Sequence, residues 1–352
     1  MNKIPVLYLS SEAYSKILAV SMLSLLDNKE DNTFYEIYVL VEKKYSEQSL
    51  KPFRFMEEKY DGFSLHWIEM EDAFSDTKVN VAGVGKETMY RLMAPKMLAG
   101  IDRCIYLDSD TLILSDLEEM FEHDIQDNYF SGVYPERFLS NMLSDYKNAY
   151  GRQAIKILEK QIGLCTLDQY VGAGVMIMNL KEMRDHGMIE KFLQAVKPNS
   201  LPKDQDILNA CCYGHIDKMP VKYCVDLHEL DDLAWYEENN KEQLADIQKA
   251  FKNPVVIHYS DRYKPWKMCG LRYEKYWWSY LSQLGLLMDF WDDFIDSLGG
   301  CNSPMATVDP ASISAKTYSD AYREFSKGIS YRIGRFITFI PRKIYYFFKR
   351  KW

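Results

Sequence analysis

Four short apolar runs, at residues 6–9, 37–41, 63–68 and 104–107, restrict the fold more than any other feature of this chain. Segments with apolar residues at helical spacing stand between them, at 12–26, 46–59 and 87–98. Ser46 is placed to cap the second of these. Strands covered on both faces read as unbroken apolar runs, and strands alternating with helices imply crossover connections. The expected class is therefore α/β, a mixed but mostly parallel Rossmann-like sheet flanked by helices. Further strands are expected at 129–133, 174–179 and 255–257, and helices at 181–196 and 205–212. In open sheets of this kind ligands bind beyond the carboxyl ends of the strands. Asp108-Ser109-Asp110 follows one such end and Ser10-Ser11-Glu12 another.

The 352 residues carry a net charge of -8, which argues against broad nucleic-acid binding. Seven scattered cysteines form no Cys-x-x-Cys pair, as expected for thiols used as small apolar residues in a reducing, cytoplasmic compartment. The opening residues lack an extended apolar region with a small-residue cleavage site, so no secretory leader is expected. No stretch has the length of a membrane span. Residues 1–298 are expected to form the main α/β domain, and 299–352 a linker with a helical tail. From 331 to 352 seven Lys or Arg residues interleave with aromatic and aliphatic ones, without an acid. That mixture suits an anionic membrane surface, here the inner face of the cell membrane.

Asp108 and Asp110 flank one small residue after a buried strand. Two carboxylates so placed repel unless a cation joins them, and hard oxygen ligands suit Mg²⁺ or Mn²⁺. His258 ends another apolar run and leads into Lys264-Pro265-Trp266. Imidazole can complete such a metal site, and a Lys nearby can reach a phosphate. The five other histidines have no comparable surroundings. Asp204-Gln205-Asp206 opens a helix, where acids either cap the backbone or grip hydroxyls in a crevice. Gly83-Val84-Gly85-Lys86 lacks the leading Gly and the following Ser or Thr of a phosphate loop.

In order along residues 6–266, the chain resembles glycosyltransferase family 8, the retaining group that includes bacterial lipopolysaccharide galactosyl- and glucosyltransferases and is related to glycogenin. The resemblance is carried by Tyr90-Arg91-Leu92, by Cys104 to Thr111 with its two aspartates, by Ala173 to Leu180, by Asp204 to Asn209, and by His258-Tyr259 with Lys264-Pro265-Trp266. It implies a GT-A fold and a UDP-sugar donor bound with Mn²⁺ or Mg²⁺. The implied metal ligands are Asp108, Asp110 and His258. Lys264 would contact the diphosphate, Asp204 the sugar hydroxyls, and Gln205 would lie near the anomeric carbon. Leu9, Ser10, Ser11, Tyr14, Arg91 and Ser109 would complete the donor site, with Tyr14 stacked on the base. The implied partners are that donor and a saccharide acceptor in surface polysaccharide or lipopolysaccharide synthesis.

Some positions depart from the family pattern. Gly172 stands where an Asn is common, and the usual Gly before Lys-Pro-Trp is replaced within Ser260-Asp261-Arg262. Glu136 is the nearest match to a family aspartate. Residues 136–170 and the Trp235-Tyr236 region are candidates to cover the acceptor. Two other readings remain at this point: a nucleotidyltransferase, and a saccharide-binding protein with a decayed transferase site.

Overall fold

In β1 (Asn2–Leu9), Ile4, Val6 and Tyr8 face one hydrophobic cluster while Leu7 and Leu9 face another. Strand alternation thus delivers apolar side chains to both sides. The computed structural model describes residues 2–70, 86–163, 167–196, 204–227, 229, 233–268 and 270–290. The linker expected at 299–307 and the tail at 331–352 lie outside them.

The central sheet also contains β2 (Thr33–Val41), β3 (Phe63–Glu69) and β4 (Arg103–Asp108). After β5 (Thr111–Ile113), which belongs elsewhere, come β6 (Phe130–Gly132), β7 (Val175–Asn179) and β8 (Ile216–Lys218). Its order is β3-β2-β1-β4-β7-β6-β8. Strands β1 to β4 pair in parallel, and β7 runs antiparallel to both β4 and β6. A mostly parallel, mixed α/β sheet is thus what the strand periodicity led one to expect. The carboxyl ends of β1 and β4 lie side by side, with Leu9 opposite Asp108.

A second sheet has the order β5-β10-β9, with β9 (Val225–Asp226) and β10 (Val256–His258). The helix Ser15–Asp27 is buried along most of its circumference, including Ser21 and Ser24. Such a helix needs partners on several sides. The Ser24 hydroxyl accepts a hydrogen bond from the Ile113 N–H at 2.9 Å, and Ser21 shares one with Thr111 at 2.9 Å. The buried serines thereby fasten β5, and with it the end of the Asp108–Asp110 turn.

Two helices differ from expectation. The segment expected as one helix over 87–98 is a 3₁₀ stretch, Lys86–Met93, followed by the short helix Ala94–Met97. Pro95 lies in the first turn of the latter, the position where its missing N–H costs nothing. The helix expected over 181–196 is two, Leu180–Asp185 and Met188–Ala195, because Gly187 takes φ 63° between them.

Candidate metal and donor site

One antiparallel pairing assembles the centre of the site. His258 is the register partner of Thr111, and the Tyr259 N–H donates to the Asp110 carbonyl at 3.0 Å. That ladder brings the end of β10 beside the turn that follows β4. His258 Nε2 lies 3.3 Å from Asp110 Oδ1 and 3.5 Å from Asp108 Oδ2. Ligands at ~2.1 Å on adjacent corners of an octahedron lie ~3 Å apart, so these two carboxylates and one imidazole fit a divalent cation. They are the one such cluster among the described residues.

Gly174 makes room for the imidazole. A Cβ there would stand 2.2 Å from His258 Cε1. On its other side, His258 Nδ1 faces Asp226 Oδ2 at 3.6 Å, and Asp226 accepts from the Ser260 hydroxyl at 2.8 Å. Burial opposes a charge on His258, but hydrogen bonds to Asp108, Asp110 and Cys224 outweigh it and hold the ring well above its ordinary value. Burial likewise opposes charge on Asp108 and Asp110. Arg91 and His258 lower the first, and His258 with Lys264 lowers the second. Lys264 Nζ donates to Asp110 and to the Tyr259 carbonyl.

Arg91 organises the adjoining wall. Its Nη2 reaches Asp108 Oδ1 at 3.0 Å, its Nε reaches Asp204 Oδ2 at 2.8 Å, and its Nη1 donates to the Ala173 carbonyl at 2.6 Å. The guanidinium packs over the Tyr106 ring, whose hydroxyl donates to Asp108 Oδ1 at 2.5 Å. Burial works against the charge on Arg91, yet Asp108 and Asp204 hold it firmly protonated. Burial raises Asp204, and Arg91 only partly offsets this. Asp204 opens the helix Asp204–Cys211, so the acid that could have been a mere cap faces an arginine.

Gln205 is fixed at both ends. Its carbonyl accepts from the Ala173 N–H at 2.9 Å, and its amide donates to the Tyr170 hydroxyl at 2.9 Å. Tyr170 in turn donates to Asp206 Oδ1 at 2.7 Å. Asn209 receives the Val171 N–H at 2.8 Å and donates to the Val171 carbonyl at 2.9 Å, holding the segment that leads to Gly174.

Ser109 donates its hydroxyl to the Leu9 carbonyl at 2.7 Å, and buried Ser10 donates to the Ser11 carbonyl at 3.1 Å. Tyr14 is partly exposed and meets the Trp266 ring edge-on, 6.5 Å between centroids. Glu136 accepts from the Asn240 amide at 3.0 Å, a tie between helices. The site residues named from the sequence thus gather at one end of β1 and β4, while Tyr106, Tyr170, Asn209 and Asp226 were not among them. Tyr106 and Asn209 lie within two of the family-like segments without having been singled out, and Tyr170 and Asp226 lie outside all of them.

The model of glycosyl transferase family 8 matches residues 5–270. The chain belongs to this family. It is 27% identical over 265 residues to a lipopolysaccharide 1,2-glucosyltransferase of Escherichia coli, covering 72% of this chain and 70% of that one. It is 25% identical over 215 residues to a putative glycosyltransferase of Haemophilus influenzae, and the match spans 60% of each. Its fold resembles that of the galactosyltransferase LgtC, solved with donor and acceptor sugar analogs. The TM-score is 0.62 at 19% identity, covering 80% of this chain and 96% of that one. The architecture is that of GT-A glycosyltransferases.

Proposed function

We propose that the protein transfers a hexose, glucose or galactose, from a UDP-sugar to a saccharide acceptor, with retention at the anomeric carbon. The convergence of Asp108, Asp110 and His258 beside Lys264 carries this reading. The E. coli relative acts in lipopolysaccharide synthesis by its name, and LgtC was solved with donor and acceptor sugar analogs. The same role in surface polysaccharide or lipopolysaccharide synthesis is the reading for this chain.

Mn²⁺, or Mg²⁺, held by Asp108, Asp110 and His258 would neutralise charge on the departing diphosphate. Lys264 adds a second positive charge on the same side once a phosphate draws it from Asp110. Asp204, anchored by Arg91, accepts from sugar hydroxyls. Tyr14, exposed and set edge-on against the buried Trp266, offers the ring on which a base would lie. Gln205 is an amide, a poor nucleophile, and its carbonyl already accepts from Ala173. Support therefore goes to same-face attack, in which the acceptor hydroxyl enters beside the leaving phosphate and gives it the proton. Catalysis then rests on positioning and electrostatics. Nothing in the site favours a nucleotidyltransferase, which would give His258 no role. The intact carboxylates, imidazole and lysine speak against a decayed site.

The test is UDP release from a panel of UDP-sugars with and without Mn²⁺, beside Asp110→Ala. Metal-dependent turnover of one donor, reduced at least a hundredfold in the variant, is the expected result. Absence of both release and Mn²⁺-dependent UDP binding would sink the proposal.

A further inference from the structure

The hydrogen bonds on Asp108 are divided unevenly between its two oxygens. Oδ1 accepts from Arg91 Nη2 at 3.0 Å and from the Tyr106 hydroxyl at 2.5 Å. Oδ2 faces His258 Nε2 at 3.5 Å. A carboxylate oxygen has two lone-pair sites. The two donors therefore saturate Oδ1, and Oδ2 is the oxygen turned toward the rest of the Asp108, Asp110 and His258 cluster.

The strand builds this division. Tyr106 and Asp108 stand two residues apart in β4, so their side chains leave the same face of the sheet. Tyr106 belongs to the hydrophobic cluster that holds Leu7, Leu9 and Met176, while Ile105 and Leu107 fill the cluster on the opposite face. Its ring is fully buried, and the Arg91 guanidinium lies 4.6 Å from the ring centroid. Two groups in contact with each other thus reach the same oxygen. A buried phenol hydroxyl needs a partner, and a backbone carbonyl would serve it equally well. Here the partner is a carboxylate of the metal cluster, which gives the bond a consequence beyond satisfying the hydroxyl. The number of oxygens a carboxylate offers bears on which cation fits. Mg²⁺ keeps close to an octahedron at about 2.1 Å, a geometry shared with Mn²⁺. Ca²⁺ takes roughly six to eight ligands at about 2.3–2.6 Å and gains some of them from carboxylates that bind through both oxygens. A carboxylate limited to one oxygen suits the first geometry and deprives the second of a ligand.

We infer that Tyr106 is a positioning residue: together with Arg91, its hydroxyl keeps Asp108 Oδ1 out of metal coordination, so that Asp108 binds through Oδ2 alone and the site discriminates against Ca²⁺. Without the hydroxyl, Oδ1 regains a lone pair and can join Oδ2 on a larger ion. The inference rests on the metal site of the transferase reading and specifies which cation that site selects.

Competition between Mn²⁺ and Ca²⁺ on the full chain, followed by the paramagnetic resonance signal of Mn²⁺, tests it in the unaltered protein, Tyr106→Phe and Tyr170→Phe. Tyr106→Phe keeps the ring and removes one donor. It is expected to lower the preference for Mn²⁺ over Ca²⁺ about tenfold, the lower end of what the outer partners of metal ligands contribute, with Ca²⁺ affinity itself unchanged or higher. Tyr170→Phe removes a buried hydroxyl nearby that donates to Asp206 rather than to the cluster, and it is expected to leave the preference within twofold. A hydroxyl with a merely structural role would weaken both cations together. An unchanged preference in Tyr106→Phe therefore overturns the inference, as does an equal change in Tyr170→Phe. A crystal structure of the unaltered chain with Mn²⁺ decides the matter even if Tyr106→Phe does not fold. Oδ2 alone on the metal, with the Tyr106 hydroxyl still on Oδ1, is expected, and both oxygens on the metal would overturn the inference. An unaltered chain that binds no Mn²⁺ refutes the metal site and this inference with it, whereas Mn²⁺ binding with a preference indifferent to Tyr106 refutes this inference alone.

Discussion

Gly172 and Gly174 stand two residues apart on the approach to β7 and differ in what surrounds their Cα atoms. A Cβ at 172 meets only the Val133 carbonyl, at 3.6 Å, whereas one at 174 meets three atoms of the His258 ring below 3.0 Å. Gly174→Ala is therefore expected to displace the imidazole and weaken Mn²⁺ at least tenfold, the scale typical of disturbed metal ligands. Gly172→Ala is expected to leave Mn²⁺ affinity within twofold, and Gly172→Asn to be accommodated. Titration of Mn²⁺ by its electron paramagnetic resonance signal checks the pair, and equal effects at both positions would contradict the packing argument.

At the scale of elements, the helix Glu274–Gln283 carries its own pH response. The Glu274 carboxylate accepts from the Gly270 and Leu271 N–H groups at 3.1 and 3.0 Å. Burial nevertheless raises it from 4.5 to about 7, more than those bonds lower it. Between these two values the folded chain keeps a proton that the unfolded chain has released. Unfolding free energy therefore falls as pH rises through that window, by up to roughly 3 kcal/mol. Glu274→Gln removes this slope, so its stability relative to the unaltered chain should grow between pH 5 and pH 8 in denaturant titrations. A difference constant with pH would refute the assignment. Elements also show where the sequence was legible. Asp108-Ser109-Asp110 could be read because strand, turn and carboxylates are contiguous, and His258 because an apolar run delivers it. Asp226 could not, since β9 has only two residues and no period to recognise. Tyr106 looked like any strand aromatic. Its role depends on Arg91, 15 residues earlier in an irregular 3₁₀ stretch. The break at Gly187 hid within a pattern whose helical spacing continues on both sides.

For the whole molecule, Mn²⁺ that binds only the assembled cluster should stabilise the fold, by about 2.7 kcal/mol at a hundredfold excess over its Kd. Thermal unfolding with and without Mn²⁺ should show this shift, and Asp110→Ala should abolish most of it. No helix among the described residues is long and apolar enough to cross a membrane. The reading of a peripheral membrane contact therefore rests on the basic, aromatic tail. A chain ending at residue 298 is expected to lose binding to anionic vesicles, and undiminished binding would assign it elsewhere. The β5–β10 pairing has one more consequence. It joins residues about 150 apart in the chain, and no shorter path brings His258 to Asp110. During translation the two aspartates leave the ribosome long before the imidazole does. On the proposed reading, a nascent chain that has not reached residue 258 holds Asp108 and Asp110 without the imidazole, so it would hold the metal and the sugar nucleotide less well than the finished chain.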